Sequence, residues 1–470
     1  MEILSGIFGT LDAITWGWAL IPILVVVGLY FTLMTGLVQF RFFGRMFRQA
    51  SPAHNEARSG GISGWQALMV SVGGRVGGGN LAGVAAAMVL GGPGAVFWMW
   101  AIAIVGMATS LVECTLAQTF KRSTPDGLFR GGPAHYIRHG LGHHYQWLVM
   151  VYAVCLFASF GLGFNAFQGN TVSAAIHDSF GAPHLATGLV LGAITAWIVF
   201  GGLRRIAKVA DLIVPVMCVA YLGCALVVIG MNLDRIPEAM ATIVNNAFGW
   251  QEAVSGGMGA AIAAGLKRGL FSNEAGLGSA PNVAATADVK HPVSQGITQA
   301  FSVFIDTILI CSCTAFIIIL GDVYKPAGDV TGIALLQQSL AAHLGAWAQY
   351  FLTIIVFLFA FSSIIYNYYL GETAVLELSD SPIAITVARV LVIGCVVLGA
   401  SAPQVTSVFF FSDPMMGVLA IVNLMVIVSL LPVVLRLLRD YREQLRSGKT
   451  QPEFDAARFP DLDVDRSVWK

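Results

Sequence analysis

Charged residues are scarce in this chain. Only 11% of its 470 residues are Asp, Glu, Lys or Arg, whereas a soluble domain carries about 25%. Hydrophobic residues make up 56% of the sequence, and the mean hydropathy is +0.75. These values exclude a soluble globular protein. They predict a polytopic membrane protein whose partner is the lipid bilayer, and no nucleic acid partner is expected.

Catalytic and metal-binding patterns are also missing. The sequence contains no HExxH, GxSxG or P-loop motif, and none of its seven cysteines forms a CxxC pair. All seven fall in apolar segments, which predicts core residues without disulfides or a metal site. No signal peptide is visible, because the N-terminus lacks a basic region and the first apolar segment is too long. An integral-membrane enzyme is therefore disfavoured, and no cofactor is expected.

Apolar segments long enough to cross a bilayer recur along the whole chain. A membrane-spanning helix needs about 20 apolar residues. Short polar helices are expected at 237–250 and 329–345. The eleven predicted spans are 13–38, 64–89, 94–119, 146–176, 185–202, 209–231, 253–287, 294–320, 347–375, 383–402 and 408–436.

The distribution of positive charge predicts the orientation of these spans. With the N-terminus outside, 20 Lys and Arg residues fall in the inside connections and the C-terminal tail. Only Arg235 and Lys325 fall in outside loops. Because positive residues are enriched on the cytoplasmic side, we expect a multi-pass protein of the bacterial cytoplasmic (inner) membrane. Its N-terminus is predicted outside and its C-terminus inside.

Two of the spans are interrupted by glycine-rich segments, Gly73–Asn80 and Arg268–Ser279. Glycine in a helix interior costs roughly 1 kcal/mol relative to alanine. Unwound backbone is tolerated in a membrane only where protein or a water-filled cavity satisfies its polar groups. Glycine-packed helix contacts could also produce such patterns, but packing alone requires neither Arg75 nor Glu274.

The two interruptions fall at corresponding places. If the first span is set aside, spans two to six and seven to eleven form two five-helix halves of opposite orientation, each beginning with its broken helix. This is the sequence pattern of a transporter with a central site. We therefore predict an all-α integral membrane fold of eleven transmembrane helices, with two inverted five-helix repeats and discontinuous first helices. The predicted units are an extra N-terminal helix (1–40), the repeats (41–231 and 232–440) and a cytoplasmic tail (441–470).

The broken helices suggest the ligand chemistry. The N-terminus of a half-helix offers free N–H groups and a positive dipole end, which suit a carboxylate. Unwound carbonyls and hydroxyls suit a sodium ion. A small zwitterionic amino acid and a cation fit these parts. A passive channel is disfavoured, because paired broken helices imply a site that can be occluded.

Several blocks of this sequence resemble one family, the alanine-or-glycine:cation symporters. They are GNLAGVAAAMVLGGPGAVFWMW (79–100), ECTLAQ (113–118), RGGPAHYI (130–137), GLKRGLFSNEAGLGSAPNVAATA (265–287), FIDTILIC (304–311) and LFAFSSII (358–365). The resemblance implies sodium-coupled, sometimes proton-coupled, uptake of small neutral amino acids. It also implies the fold of the bacterial leucine transporter with one extra N-terminal helix.

The same resemblance implies roles for individual residues. It assigns substrate binding to Gly77, Gly78, Gly79, Asn80, Gln168, Phe271, Ser272, Asn273 and Gly276, with the first four and the last four in unwound segments. It assigns a sodium site to the carbonyls of Gly73, Val76 and Phe359 and to the hydroxyls of Ser362 and Ser363. The chain departs from the family at Gly78, where a hydroxyl residue is usual, and at Ala134–His135.

Three charged residues are candidates for coupling or gating. Asp306 lies midway along a span, where a charge is costly and usually faces the interior of the bundle. Arg75 borders the first break, where a structural ion pair or gate is expected. Glu274 is expected to pair with Arg75 or Arg268, because a lone buried charge is unfavourable.

These observations predict a symporter that imports alanine or glycine with sodium by alternating access. The alternative is a proton-coupled transporter of a related amino acid, such as glutamine or serine.

Overall fold

The structure is a computed structural model that describes residues 2–51, 61–249, 257–325, 330, 332–402 and 406–469. The described part is predominantly helical. Backbone polar groups find no water in hydrocarbon, so apolar segments of this length satisfy their hydrogen bonds within helices. The N-terminal region contains α1 (Glu2–Asp12), a π-helical segment (Ala13–Ala19), α2 (Leu20–Met34), α3 (Val38–Arg41) and α4 (Phe43–Gln49).

The next part of the chain begins with the first broken helix. Its elements are α5 (Gly64–Arg75), a π-helical segment (Gly79–Gly83), α6 (Val84–Gly91), α7 (Gly94–Thr119), a hairpin of β1 (Arg122–Ser123) and β2 (Phe129–Arg130), α8 (Pro133–Tyr136), a π-helical segment (Ile137–Leu141), a 3-10 turn (His143–Tyr145), α9 (Gln146–Leu156), a π-helical segment (Phe157–Phe164), α10 (Asn165–Phe180), α11 (His184–Val199) and α12 (Gly202–Met231).

The remainder contains the second broken helix and the tail. Its elements are a 3-10 turn (Leu233–Arg235), α13 (Ile236–Ala247), α14 (Gly257–Asn273), α15 (Ala280–Ala284), α16 (Pro292–Val303), a π-helical segment (Phe304–Cys311), α17 (Ser312–Leu320), α18 (Gly332–Leu344), α19 (Trp347–Leu378), α20 (Pro382–Ser401), α21 (Thr406–Ser429), α22 (Leu431–Arg446) and a 3-10 turn (Ala456–Arg458).

Eight helices in the described part are long and apolar enough to cross a membrane. They coincide with eight of the predicted spans. In the other three predicted spans the structure has α11, of 16 residues, and the two interrupted helices. The start of the predicted span 253–287 and of the predicted helix 329–345 lies outside the described residues. The count of eleven membrane crossings and the inverted repeat remain predictions.

The predicted span 408–436 is wrong at its C-terminal end. α21 ends at Ser429, and the separate helix α22 begins at Leu431 with Pro432 in its first turn. Proline is tolerated there because the first N–H groups of a helix have no partner within it. The predicted boundary at residue 440 therefore falls inside α22.

The two broken helices pack against each other inside the bundle. α14 contacts the π-helical segment Gly79–Gly83, and α15 contacts α5. α7 packs against α14 and α16, while α19 packs against α5, α10 and α12. Both interruptions are therefore enclosed by other helices, which is the setting in which unwound backbone is tolerated in a membrane.

Candidate functional site

The first interruption is shorter than predicted. α5 begins with a capping box, in which Ser63 Oγ accepts a hydrogen bond from Gln66 N at 3.1 Å, and it ends at Arg75. Val76 leaves the helical conformation with ψ of 88°. The helix resumes at Gly79.

Gly79 and Asn80 are therefore helical, and their predicted place in the unwound segment is wrong. The physical reason is local. The Asn80 side chain turns back and its Oδ1 accepts a hydrogen bond from Gly77 N at 3.1 Å. A side-chain oxygen that caps an N–H group at the start of a helix allows the helix to begin there.

Two backbone N–H groups in the first break donate hydrogen bonds to side-chain amide oxygens. Gly77 N donates to Asn80 Oδ1, and Gly78 N donates to Gln168 Oε1 at 3.0 Å. Asn80 is fully buried and Gln168 is almost so. The structure thus brings the predicted substrate residues of the first break into contact with Gln168. The acceptors are neutral amide oxygens at a half-helix N-terminus, which is a favourable place for a carboxylate.

Gly77 is enclosed so tightly that no other residue fits without movement. A Cβ atom at Gly77 would lie 2.3 Å from Ser363 Oγ, and one at Gly74 would lie 2.2 Å from the Tyr366 ring. These glycines allow α5 and α19 to approach closely, in addition to allowing the break.

Substitution of Gly77 by alanine is expected to abolish uptake. The added methyl group would push Ser363 away from the carbonyls of α5 and distort the break. The matched control is Gly83→Ala in the helix that follows, where an added Cβ meets nothing within 4 Å. The measurement is uptake by both variants in membranes that contain equal amounts of each protein. If Gly77→Ala transports as well as Gly83→Ala, the close approach at Gly77 is dispensable.

The second interruption also differs from its predicted limits. α14 continues through Phe271 and Ser272 to Asn273, so the predicted unwinding of these three residues is wrong. Unwinding begins at Glu274, which has φ of 55°, and continues to Ser279. The positive φ values of Gly276 and Gly278 explain the location, because glycine adopts this conformation without a steric cost.

A polar cluster around Asp306 connects the two broken helices. Asn80 Nδ2 donates to Asp306 Oδ1 at 2.6 Å, and Ser272 Oγ donates to Oδ2 at 2.8 Å. Thr307 Oγ1 also donates to Oδ2, at 2.7 Å. All four side chains are buried, and within the described residues Asp306 has no ion-pair partner within 4.0 Å. Neutral donors from both broken helices therefore stabilise this carboxylate.

The predicted ion pair of Glu274 is not formed with either arginine. Glu274 Oε2 instead accepts hydrogen bonds from Ser279 Oγ at 2.5 Å and from Tyr366 OH at 2.8 Å. These neutral donors satisfy the carboxylate within its own loop and from the facing helix. Sequence reasoning did not single out Tyr366, which is an aromatic residue within an apolar span.

Arg75 also has neutral partners in place of the predicted ion pair. Its guanidinium donates to Gln299 O at 3.2 Å, to Ser110 Oγ at 3.2 Å and to Ser302 Oγ. Arg268 instead lies over the Phe271 ring, with 5.6 Å to the ring centroid. A buried arginine requires partners for its donors, and here α7 and α16 supply them. The gating role of Arg75 remains a prediction.

The predicted sodium ligands are grouped where α19 faces α5. Ser362 Oγ donates to Gly73 O at 2.8 Å and to Phe359 O at 2.9 Å. Ser363 Oγ lies 3.1 Å from Gly73 O and 3.1 Å from Phe359 O. Val76 lies three residues beyond Gly73, where α5 ends. All the ligand atoms grouped here are oxygens, which fits a sodium ion.

A second buried network, centred on Glu113 and Asn423, supports the second break. Glu113 Oε1 accepts from Gly276 N at 3.2 Å, and Oε2 accepts from Asn423 Nδ2 at 2.9 Å. Asn423 Nδ2 also donates to Gly276 O at 2.9 Å, and Tyr136 OH donates to Asn423 Oδ1. The sequence carried two signals of this network, the carboxylate of Glu113 and the amide of Asn423, each within an apolar span.

Comparison with known proteins extends over nearly the whole chain. A family model described as the sodium:alanine symporter family matches residues 1–456. The chain is 46% identical over 448 residues to the probable sodium/glutamine symporter GlnT of Bacillus subtilis, covering 95% of this chain and 93% of that protein. It is 36% identical over 440 residues to the sodium/alanine symporter AgcS of Methanococcus maripaludis, covering 92% and 96%.

Two solved structures are similar in fold. MhsT in complex with L-phenylalanine aligns with a TM-score of 0.58 at 15% identity, covering 77% of this chain and 87% of that chain. A mutant manganese transporter of Eremococcus coleocola aligns with a TM-score of 0.50 at 14% identity, covering 79% and 77%. At these identities the likeness concerns the fold alone.

Proposed function

Because the chain belongs to the sodium:alanine symporter family, and is therefore a membrane transporter and not an enzyme, we propose that it imports alanine or glycine together with sodium. Import proceeds by alternating access across the bacterial cytoplasmic membrane, with the N-terminus outside and the C-terminus inside. The observation that carries this proposal is the position of Gly77. Its N–H, with that of Gly78, forms a pair suited to a carboxylate, and its Cα faces Ser363, which belongs to the oxygen cluster of Gly73, Phe359, Ser362 and Ser363.

The substrate carboxylate binds at the first break. It takes the N–H groups of Gly77 and Gly78 and displaces the side-chain oxygens of Asn80 and Gln168, which then reorient around the ligand. A charged acceptor at these positions forms stronger hydrogen bonds than the neutral amides it replaces. Binding therefore releases the Asn80 side chain from its capping position.

The movement of the Asn80 side chain links substrate binding to the second broken helix. Asn80 also donates to Asp306, which in turn accepts from Ser272 at the end of α14. A shift of Asn80 changes the hydrogen bonds available to Asp306 and to Ser272. We assign coupling between the two broken helices to this chain of three side chains.

The space beside the first break favours a small substrate. A Cβ atom at Gly78 would lie 3.0 Å from Thr171 Oγ1 and 3.2 Å from the Phe167 ring. The Phe271 ring lies next to Gly79 and stacks on Phe164, with 4.5 Å between centroids. Thr171 supplies a hydroxyl close to the position at which the family usually has one. These contacts support alanine or glycine over larger amino acids.

A second candidate is proton-coupled transport of glutamine or serine. The identity of 46% to a protein named as a probable sodium/glutamine symporter supports glutamine as a substrate. Asp306, which has only neutral partners among the described residues, would then be the proton-binding group.

Uptake into proteoliposomes tests the proposal and separates the two candidates. Radiolabelled alanine, glycine, glutamine and serine are supplied in turn, first with an imposed inward sodium gradient and then with an imposed inward proton gradient. We expect alanine or glycine to accumulate with the sodium gradient alone. Accumulation of glutamine or serine driven only by protons would favour the second candidate. If none of these amino acids accumulates under either gradient, both candidates are wrong.

A further inference from the structure

The segment that follows α22 folds back onto the protein. Phe454 and Phe459 stack on each other with 5.3 Å between ring centroids, and the Trp469 ring meets Phe454 edge-on at 5.3 Å. Trp469 is only 2% exposed. The polar, charged composition of the tail predicts a surface segment, and most of its residues are exposed. Its aromatic residues, however, are buried and form a small core with the neighbouring loops. We call residues 447–469 the tail clamp.

The first half of the tail clamp binds the loop that precedes α16. Phe454 N donates to Lys290 O at 2.9 Å, and Lys290 Nζ donates to Glu453 Oε1 at 2.9 Å. The His291 ring packs edge-on against Phe454, with 5.9 Å between centroids. This loop directly follows the second broken helix, so the contact attaches the tail to the end of that helix.

The second half binds the residues that follow α7. The ammonium group of Lys121 lies 4.7 Å from the centroid of the Trp469 ring. Ser123 N donates to Asp465 Oδ2 at 3.1 Å. These contacts attach the tail to the end of α7.

Asp463 connects this half to a third segment. It forms an ion pair with Arg122 at 2.9 Å and a hydrogen bond with His139 Nδ1 at 2.6 Å. Partial burial raises the pKa of Asp463, but hydrogen bonding and charge from His139 and Arg122 outweigh that effect and lower the pKa below its ordinary value. Asp463 is therefore ionised at neutral pH and holds both basic side chains.

Both halves of the tail clamp meet at a junction of the two broken helices. Ile62, just before α5, forms a backbone bridge with Ala287, just after α15. Asp288 N donates to Ile62 O at 2.9 Å, and Lys121 Nζ donates to Ala287 O at 2.7 Å. The tail thus reaches this junction from one side through Lys290 and from the other through Lys121.

We propose that the tail clamp holds the Ile62–Ala287 junction closed and must release it when the site opens to the cytoplasm. This inference rests on the proposed alternating-access function, in which the inner ends of the broken helices separate. Exposed ion pairs are individually weak, so the clamp can open reversibly. The family model ends at residue 456, so the contacts of Asp463 and Trp469 lie beyond the matched region.

Hydrogen exchange measured by mass spectrometry on the full-length chain tests the clamp directly. The variants are Asp463→Asn, which changes a largely exposed side chain, and Trp469→Ala. The matched control is Arg466→Gln, which removes an exposed charge of the same tail. We expect exchange in residues 285–291 to become about tenfold faster or more in both variants, because their amides exchange when the junction opens locally. The control should match the unsubstituted chain.

Sodium-driven uptake by the same variants provides the second measurement. Release of the clamp favours the inward-open state, so the sodium concentration for half-maximal uptake is expected to rise several-fold. Hydrogen exchange in α7 and α16 is expected to stay as slow as in the unsubstituted chain. Unchanged exchange at 285–291 in both variants would overturn the clamp. Failure of the unsubstituted chain to accumulate substrate would instead count against the proposed function, because the exchange measurement requires no transport.

Discussion

Replacement of Asp306 by asparagine is expected to reduce sodium-driven uptake by about 100-fold or more while the protein stays folded. Asp306 accepts hydrogen bonds from Asn80, Ser272 and Thr307. An amide has one acceptor oxygen and no charge, so the partners of the second carboxylate oxygen lose their charged acceptor. Losing a buried hydrogen bond to a charged group costs about 1.5–3 kcal/mol, and two such losses correspond to at least about 100-fold in rate.

The measurement is initial uptake in proteoliposomes at saturating sodium, with equal amounts of reconstituted protein. Thr307→Val is the matched control, because it removes a donor that belongs to neither broken helix and leaves the carboxylate bonded to Asn80 and Ser272. The control is expected to retain most of the uptake. If Asp306→Asn transports as well as Thr307→Val, the carboxylate does not connect the two breaks.

The two interruptions could be predicted from sequence because their causes are local. Clustered glycines and charges in an apolar segment oppose a continuous buried helix regardless of what surrounds them. The limits of each break depend on contacts that no local pattern contains. Asn80 caps Gly77 and lets the first helix resume. Phe271 and Ser272 stay helical because the residues with positive φ begin only at Glu274.

The partners of the buried charges could not be predicted for a related reason. The physical rule says that a buried charge requires partners, but it does not say whether they are charged or neutral. Arg75 donates hydrogen bonds to Gln299 and Ser302, which are more than 220 residues away along the chain. Glu274 accepts a hydrogen bond from Tyr366. Arg75 meets its partners because α16 packs against α5, and Glu274 meets Tyr366 because α19 faces the second break.

The small aromatic core of the tail could not be predicted, because its apolar residues lack a regular spacing. Phe454, Phe459 and Trp469 fit neither the helical nor the strand period, which are the patterns that reveal a buried face. Their core forms against loops, whose positions depend on the rest of the fold. Composition alone therefore favoured a solvated segment.

Simultaneous replacement of Ser362 and Ser363 by alanine is expected to raise the sodium concentration for half-maximal uptake by at least about tenfold. Both hydroxyls lie against the Gly73 carbonyl and the Phe359 carbonyl. Their removal leaves a sodium ion with backbone oxygens only. A loss of about 1.4 kcal/mol in ion binding already corresponds to a factor of ten, and two neutral oxygen ligands contribute at least that much in a buried site.

The sodium dependence of uptake measured at fixed substrate concentration separates an ion-binding role from a packing role. Thr353→Ala, nine residues earlier on the same helix, is the matched control for packing. Its buried hydroxyl bonds Gln349 O, Ser179 Oγ and Gln337 Nε2, all away from the break. A packing defect would lower the maximal rate in either variant without changing the sodium requirement. If the double variant keeps the sodium dependence of the control, the ion does not bind between α5 and α19. The carboxylate of Asp306, which also lies at both breaks, would then be the next site to test.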